Sequence, residues 1–359
     1  MTVPGSIPRI ILVCFCTRRT IFDADWSTPL NKTIKIIGKY CLGPFVFLLL
    51  SYFIYCQIVR QPNWKDSLHR VFYAMTGPWQ WKLWLVVALM PLNWGIEARK
   101  WKLALRSIGG IPYRDAFRAV LTGTTMASFT PNRMGEYLGR ILYVKPGRRI
   151  ASISLTIVCS IAQLLVTLVV GTAGILYMRH SLHQPGVAAP PQLALGLNAL
   201  LGIVLILQAS LTIIYFRPSW MVRILKKIPG SGKHRAYIKV LENFDSRTLL
   251  RILSLSFGRY IVFIVQYALV FPVFGVFLGF GQVWSGMSVV FLVMAVVPTF
   301  TFLTELGLRW EASIQVLELF STNTVGIFAA SFAIWLINLI IPALIGSLLI
   351  LSIKFFKNR

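Results

Sequence analysis

Charged side chains are scarce in this sequence, and acidic ones are the scarcest. Only 13% of the 359 residues are Asp, Glu, Lys or Arg, against about 25% in soluble domains. The 11 acidic residues face 36 basic ones, giving a net charge of +25, and 56% of the chain is hydrophobic. This composition excludes a soluble globular domain and a disordered chain. Nucleic-acid binding does not account for the basic excess, because the basic residues flank apolar runs and form no separate basic domain.

Cysteine and the familiar catalytic motifs are nearly absent as well. The five cysteines lack metal-ligand spacing, which argues against a disulfide scaffold or a zinc site. Residues 230–234 lack the first glycine and the final Ser or Thr of a P-loop, and His180 and His183 have no carboxylate nearby. We therefore predict no catalytic residue, no cofactor and no metal, and we do not expect an enzyme.

The apolar residues are concentrated in uninterrupted runs that match the thickness of a bilayer. A transmembrane helix needs about 20 consecutive apolar residues, and six runs reach that length. They predict an all-α polytopic membrane protein with about six transmembrane helices, at 40–59, 83–105, 150–178, 193–216, 259–280 and 325–353.

Two further apolar stretches are interrupted by proline. Residues 114–132 are short, rich in Thr and Ser, and end near Pro131, while residues 284–304 are broken at Pro298. Non-helical backbone at membrane depth is tolerated where it is buried in protein or lines a wet cavity. We therefore predict two re-entrant helical hairpins instead of two further spans.

The distribution of basic residues supports this topology. With both hairpins re-entrant and the amino terminus inside, 30 of the 36 Lys and Arg residues lie on the inner side and 6 on the outer side. This asymmetry follows the positive-inside rule. It predicts a multi-pass protein of the plasma (cytoplasmic) membrane with both termini in the cytoplasm.

The predicted order of spans and hairpins divides the chain into two inverted repeats. Each half reads span, span, hairpin, span, and the two hairpins enter from opposite sides, as in many transporters. The predicted parts are a cytoplasmic segment 1–39, a first repeat 40–178 with its hairpin near 114–145, a second repeat 179–353 with its hairpin near 284–311 and a basic cytoplasmic loop 217–258, and a tail 354–359.

The first hairpin carries the strongest candidate site. If a helix starts after Pro131, then Arg133, Glu136, Tyr137 and Arg140 occupy one face of it. Two guanidinium groups near a helix start suit a phosphate, and Glu136 would orient an arginine or exchange a proton. The alternative interpretation is a hairpin anchored by its arginines at the headgroup level.

Two weaker candidate groups lie elsewhere. Glu305 and Arg309 are one turn apart after Pro298 and could form a pair. Asn93 and Glu97 are one turn apart near the end of the second span and could face the hairpin. The remaining polar residues of these regions have structural interpretations: Arg99, Lys100 and Lys102 as interfacial anchors, and Gln163, Arg259, Gln266 and Asn338 as interhelical hydrogen-bond partners.

Three stretches resemble the transmembrane region of lysylphosphatidylglycerol synthases and its stand-alone, flippase-like relatives. They are NWGIEARKWK at 93–102, TPNRMGEYLGR at 130–140, and residues 298–311. The resemblance implies movement of a lipid between leaflets, without aminoacylation, because the soluble synthase domain is not in this sequence. The family residues that carry over are Arg133, Gly135, Glu136, Arg140, Glu305 and Arg309.

The sequence thus favours a flippase-like protein that binds and translocates an anionic phospholipid or a polyprenyl-phosphate-linked lipid. The alternatives are a secondary transporter of a small anion, a membrane-bound transferase acting on a lipid-linked substrate with Glu305 or Glu311 as its carboxylate, or a scaffold that transports nothing. The expected partners are membrane lipids with anionic headgroups, and homodimerisation is left open.

Overall fold

The computed structural model describes the central part of the chain and most of its second half. The predictions for 1–39 and 40–59, for most of the loop 217–258, and for the end of the tail lie outside the described residues, as do Pro131, Asn132 and Pro298. The described residues are Tyr52, His69, Tyr73, 77–128, Thr130, 133–182, 191–217, 245–297 and 302–356.

The described residues are 87% helical and contain no strand. The prediction of an all-α membrane protein is therefore confirmed. The helices that build the molecule are α1 (Gln80–Leu105), α2 (Tyr113–Ala127), α3 (Gly135–Ile141), α4 (Arg149–Leu182), α5 (Pro191–Phe216), α6 (Ser246–Val273), α7 (Phe280–Val296), α8 (Phe302–Leu317), α9 (Thr324–Trp335) and α10 (Ile341–Phe356), with the π-helical segment Leu336–Ile340 joining α9 to α10.

Four helical stretches among the described residues are long and apolar enough to cross a membrane. They are Pro146–His180, Asn198–Phe216, Ser246–Val273 and Thr324–Ile350. Their burial differs widely: within an apolar stretch of 18 residues in each, 67% of the residues are buried in Thr324–Ile350, against 11% in Asn198–Phe216. The α9–α10 helix is thus the most buried of the four. Helix α5, whose exposed side chains include Ile203, Leu205 and Ile206, forms its outer surface.

Helices α1 and α6 pack against each other in antiparallel orientation. Gln266 of α6 donates to the Val86 carbonyl near the start of α1 (3.0 Å), whereas Arg259 of α6 reaches Glu97 near the end of α1 (2.7 Å). The carboxyl-terminal end of α1 therefore lies beside the amino-terminal half of α6. This pair positions most of the buried polar residues described below.

Helices α2 and α3 form a tight helical hairpin whose contact depends on small residues. A Cβ atom on Gly139 would lie 2.5 Å from the Gly123 Cα, and one on Gly135 would overlap the Met126 carbonyl. The turn between the helices is tied by Thr130, whose hydroxyl accepts from the Gly135 amide at 2.5 Å. Glycine is required here because only backbone without side chains approaches this closely.

Side-chain contacts join the residues that flank each of the two helix–break–helix units, α2–α3 and α7–α8. The Arg148 guanidinium, after the α2–α3 hairpin, lies against Gly109, just before it. Asn323, after α8, donates to the Phe274 and Gly275 carbonyls just after α6 (3.2 and 3.0 Å). Because α1 and α6 are antiparallel, the two units start from opposite ends of that pair.

Two predicted boundaries differ from the structure. The span predicted at 259–280 is the helix Ser246–Val273, because Gly275, with a φ of 71°, ends the helix in the left-handed region. The second boundary is the start of α3, which the sequence places directly after Pro131. This helix begins at Gly135, so Arg133, whose φ is 58°, precedes it. The expectation that Arg133 shares a helix face with Glu136 and Arg140 is therefore wrong.

Candidate functional site

Glu97 is the centre of a buried charge cluster. Its carboxylate lies 2.6 Å from Lys100 Nζ, 2.9 Å from Arg140 Nη2 and 2.7 Å from Arg259 Nη1. Glu97 is 3% exposed and Lys100 is 1% exposed. One carboxylate thus joins α1, α3 and α6 through three cations, in surroundings where each charge depends on the others for solvation.

Arg140 lies inside the protein between two carboxylates. It pairs with Glu97 and with Glu136, one turn earlier on α3, and its guanidinium lies 5.7 Å from the centre of the Trp101 ring. Glu136 remains partly exposed, whereas Arg140 is 1% exposed. Arg140 therefore connects the α2–α3 hairpin to α1, and Glu136 is the member of this pair that reaches the cavity described below.

A chain of side-chain hydrogen bonds continues from Arg259 into the bundle. Arg259 Nε donates to Asn93 (2.8 Å), Asn93 to Asn338 (3.4 Å), and Asn338 to Gln266 (3.0 Å). Asn338 lies in the π-helical segment, and such segments occur frequently at functional sites. The chain explains how these polar groups are tolerated in an apolar bundle. It also agrees with the interhelical role predicted for Gln266 and Asn338.

Glu305 and Arg309 form a second cluster on α8. They pair at 3.1 Å, and Arg309 also donates to the Tyr267 hydroxyl of α6 at 3.3 Å. Arg133, from the turn of the first hairpin, reaches Glu305 at 3.8 Å, and its side chain is 40% exposed. Glu305 therefore connects the two broken segments, and its contact with Arg133 is the looser of its two ion pairs.

One cavity of about 660 Å³ joins the two clusters. Its wall combines charged side chains with apolar ones, among them Leu164, Phe263 and Met294. The charged residues that line it are four cations and three carboxylates: Lys100, Arg133, Arg259 and Arg309 with Glu97, Glu136 and Glu305. The cavity therefore places charged residues from both halves of the chain around a common interior.

Several buried donors beside the cavity have no hydrogen-bond partner among the described residues. They include Arg309 Nε, and Arg140 Nε and Nη1. Gln163, whose Oε1 is also without a described partner, lines the same cavity. Leaving a buried polar group unpaired costs about 1–3 kcal/mol.

The structure distributes the eight predicted site residues over this region unevenly. Glu97, Arg133, Glu136, Glu305 and Arg309 line the cavity. Asn93 and Arg140 are buried behind its wall. Tyr137 is partly exposed on α3 and does not contribute to the lining.

Two residues that line the cavity, Lys100 and Arg259, are not predicted as site residues from the sequence. Lys100 had been interpreted as an interfacial anchor, but it is buried against Glu97. Arg259 is predicted as an interhelical hydrogen-bond partner, which its bonds from α6 to Asn93 and Glu97 of α1 bear out, but the sequence does not place it in the site. Lys100 lies seven residues after Asn93, so helical periodicity places it on the same face as Asn93 and Glu97, a signal that was available in the sequence.

Comparison with known proteins adds no assignment to this geometry. The chain matches no protein-family model and no curated protein. The resemblance to the lysylphosphatidylglycerol synthase transmembrane region thus stays a prediction. In the part of the chain that the structure describes, no group of three or more His, Cys, Asp or Glu side chains is arranged to hold a metal ion.

Proposed function

We propose that the two broken segments are re-entrant hairpins within inverted repeats of a bundle of about six membrane-crossing helices. The helices of the first hairpin have 15 and 7 residues, or about 22 and 10 Å, which is shorter than the ~30 Å hydrocarbon core. The contact of Arg148 with Gly109 and the hydrogen bonds from Asn323 to Phe274 and Gly275 support entry and exit on the same side.

The positive-inside distribution assigns these hairpins to opposite faces of the plasma membrane. The end of α1 with Arg99, Lys102 and Arg106 would face the cytoplasm, as would both chain termini. The hairpin formed by α2 and α3 then enters from the cytoplasm, and the one formed by α7 and α8 enters from outside. The antiparallel packing of α1 and α6 is compatible with such an inverted arrangement.

The proposed activity is the binding of an anionic lipid headgroup in the central cavity and its translocation between leaflets. The observation that carries this proposal is the convergence of Arg133 and Arg309, one from each broken segment, on Glu305 in a single cavity. A lipid phosphate would replace Glu305 as the ion-pair partner of Arg133 and of Arg309. Arginine suits this role because its planar guanidinium binds phosphate oxygens bidentately.

The apolar wall of the cavity favours a lipid over a small water-soluble anion. Leu164, Phe263, Phe291 and Met294 line it beside the charged residues. A site for a free anion gains nothing from such a wall, whereas a lipid uses it to keep its acyl chains out of water. The predicted resemblance to flippase-like proteins agrees with this choice between a phospholipid and a free anion.

A lipid-translocation assay in proteoliposomes tests the proposal. Wild-type protein should accelerate the transfer of fluorescent phosphatidylglycerol between leaflets, measured by dithionite quenching of the outer-leaflet dye. Arg133→Gln and Arg309→Gln should each slow this transfer about tenfold or more, because one charge-assisted hydrogen bond to phosphate is worth about that factor. Arg118→Gln is the matched control, because Arg118 pairs with Asp115 on the surface of α2 at 3.9 Å.

The control should retain the wild-type rate. Wild-type rates in both cavity variants, or equal losses in the control, would contradict the proposed site. If wild-type protein leaves fluorescent phosphatidylglycerol in place but carries radiolabelled phosphate into the vesicles, the small-anion alternative replaces the lipid proposal.

A further inference from the structure

A second cavity of about 850 Å³ lies on the opposite face of α1 from Glu97, between α1 and α6. It shares no lining residue with the central cavity. Its cationic residues are Arg99, Lys102 and Arg106 from the end of α1, and Arg251 from the start of α6. We call this cavity the basic cleft.

The charge of the basic cleft is uncompensated in the described part of the protein. Arg99, Lys102 and Arg106 follow one another at intervals of three and four residues, which places them on one helix face. No carboxylate is among the described residues that line the cleft. None of its four cations forms a salt bridge with a described residue. Like charges this close repel one another unless an anion lies between them.

The cleft is also polarised along α1. Its cations occupy the last two turns, whereas Pro91, Leu92 and Ile96 line it nearer the middle of the helix. Leu92 is half exposed, so the apolar end is open to an acyl chain. A phospholipid in a leaflet has the same polarity, with its phosphate at the membrane surface and its chains toward the midplane.

We propose that the basic cleft binds one anionic phospholipid of the leaflet at the carboxyl-terminal end of α1. The phosphate contacts Arg99, Lys102, Arg106 and Arg251, and an acyl chain lies along Pro91 and Leu92. This lipid is a bound component that is not translocated, because the cleft is separate from the central cavity. It links α1 to α6 beside the point where Arg259 contacts Glu97 on the other face of α1.

Native mass spectrometry of the detergent-solubilised protein titrated with dioleoyl-phosphatidylglycerol tests this site. All measurements use an Arg133→Gln background, so that lipid bound in the central cavity does not dominate. The variant Arg99→Gln/Arg251→Gln should lose affinity for the first lipid about tenfold or more, since it removes two charge-assisted contacts. Both side chains are exposed, and a thermal melt shows whether the variant is folded.

The matched control is Arg114→Gln/Lys145→Gln, which removes the same charge from exposed positions outside the cleft and should retain the affinity. Equal affinities in the two double variants would overturn the proposal. It would also be overturned if inorganic phosphate at the same concentration displaced the lipid, because the apolar end would then contribute nothing. These outcomes do not depend on whether the protein translocates lipid.

Discussion

Glu97→Gln is expected to destabilise the protein by about 3–5 kcal/mol, the cost of leaving buried charges without their partner. Glu97 is in contact with Lys100, Arg140 and Arg259, and Lys100 has no other ion-pair partner among the described residues. The amide that replaces the carboxylate keeps the volume of the side chain and removes its charge. A thermal melt of the detergent-solubilised protein, followed by size-exclusion chromatography, measures the effect.

The same substitution at Glu311 is the control. Glu311 is exposed and accepts only from Gln315 on its own helix (2.7 Å), so Glu311→Gln should change stability by less than about 0.5 kcal/mol. A second variant, Glu97→Gln/Lys100→Met, should recover part of the loss, because it removes one of the uncompensated buried cations. If Glu97→Gln and Glu311→Gln had the same melting temperature, the stabilising role of the Glu97 carboxylate would be refuted.

Gly139→Ala is the second substitution with a large expected effect. The new Cβ would lie 2.5 Å from the Gly123 Cα and 2.6 Å from its amide nitrogen, so the backbones of α2 and α3 must separate. We expect a loss of about 1–3 kcal/mol or more, as for overpacking in other interiors. Because α3 carries Glu136 and Arg140, lipid transfer should fall as well. The thermal melt and the translocation assay described above measure the two effects.

Gly202→Ala serves as the matched control. Gly202 lies within α5, and a Cβ there meets nothing within 4 Å. Alanine is favoured over glycine inside a helix by about 0.5–1 kcal/mol, so this substitution should raise stability slightly. The two Gly→Ala variants are thus expected to shift the melting temperature in opposite directions. A stable, fully active Gly139→Ala protein would show that the hairpin does not need this close approach.

The helical architecture could be predicted because hydropathy depends only on local sequence. The spans predicted at 150–178 and 193–216 fall within α4 and α5, and 83–105 falls within α1, although α1 is not among the four described helices apolar enough to cross a membrane. The prediction failed where a boundary depends on backbone conformation, since the left-handed Gly275 ends α6 and the left-handed Arg133 delays the start of α3. Composition does not identify the φ angle of a particular residue.

The candidate site could be predicted in part because charged residues near apolar segments are rare. Arg133, Glu136, Glu305 and Arg309 were selected for that reason, and they line one cavity. The sequence does not predict the pairing of Arg259 with Glu97, because these residues are 162 positions apart. Neither helix sequence by itself indicates that α1 packs antiparallel to α6. Nor does the sequence show that Arg140 lies behind the cavity wall, since burial of that side chain is set by the α2–α3 contact.

The long sequence separation within the Glu97 cluster has a consequence for how the protein is made. In the sequence, Arg140 comes 43 residues after Glu97, and Arg259 comes 162 residues after Glu97. At ribosomal speeds of 5–20 residues per second, the second guanidinium is synthesised roughly 8–30 s after the carboxylate. During that interval the acid on α1 has Lys100 on its own helix and, from 43 residues onward, Arg140, but it lacks Arg259. The three ion pairs of this cluster are therefore complete only after α6, in the second half of the chain, has been made and has packed against α1.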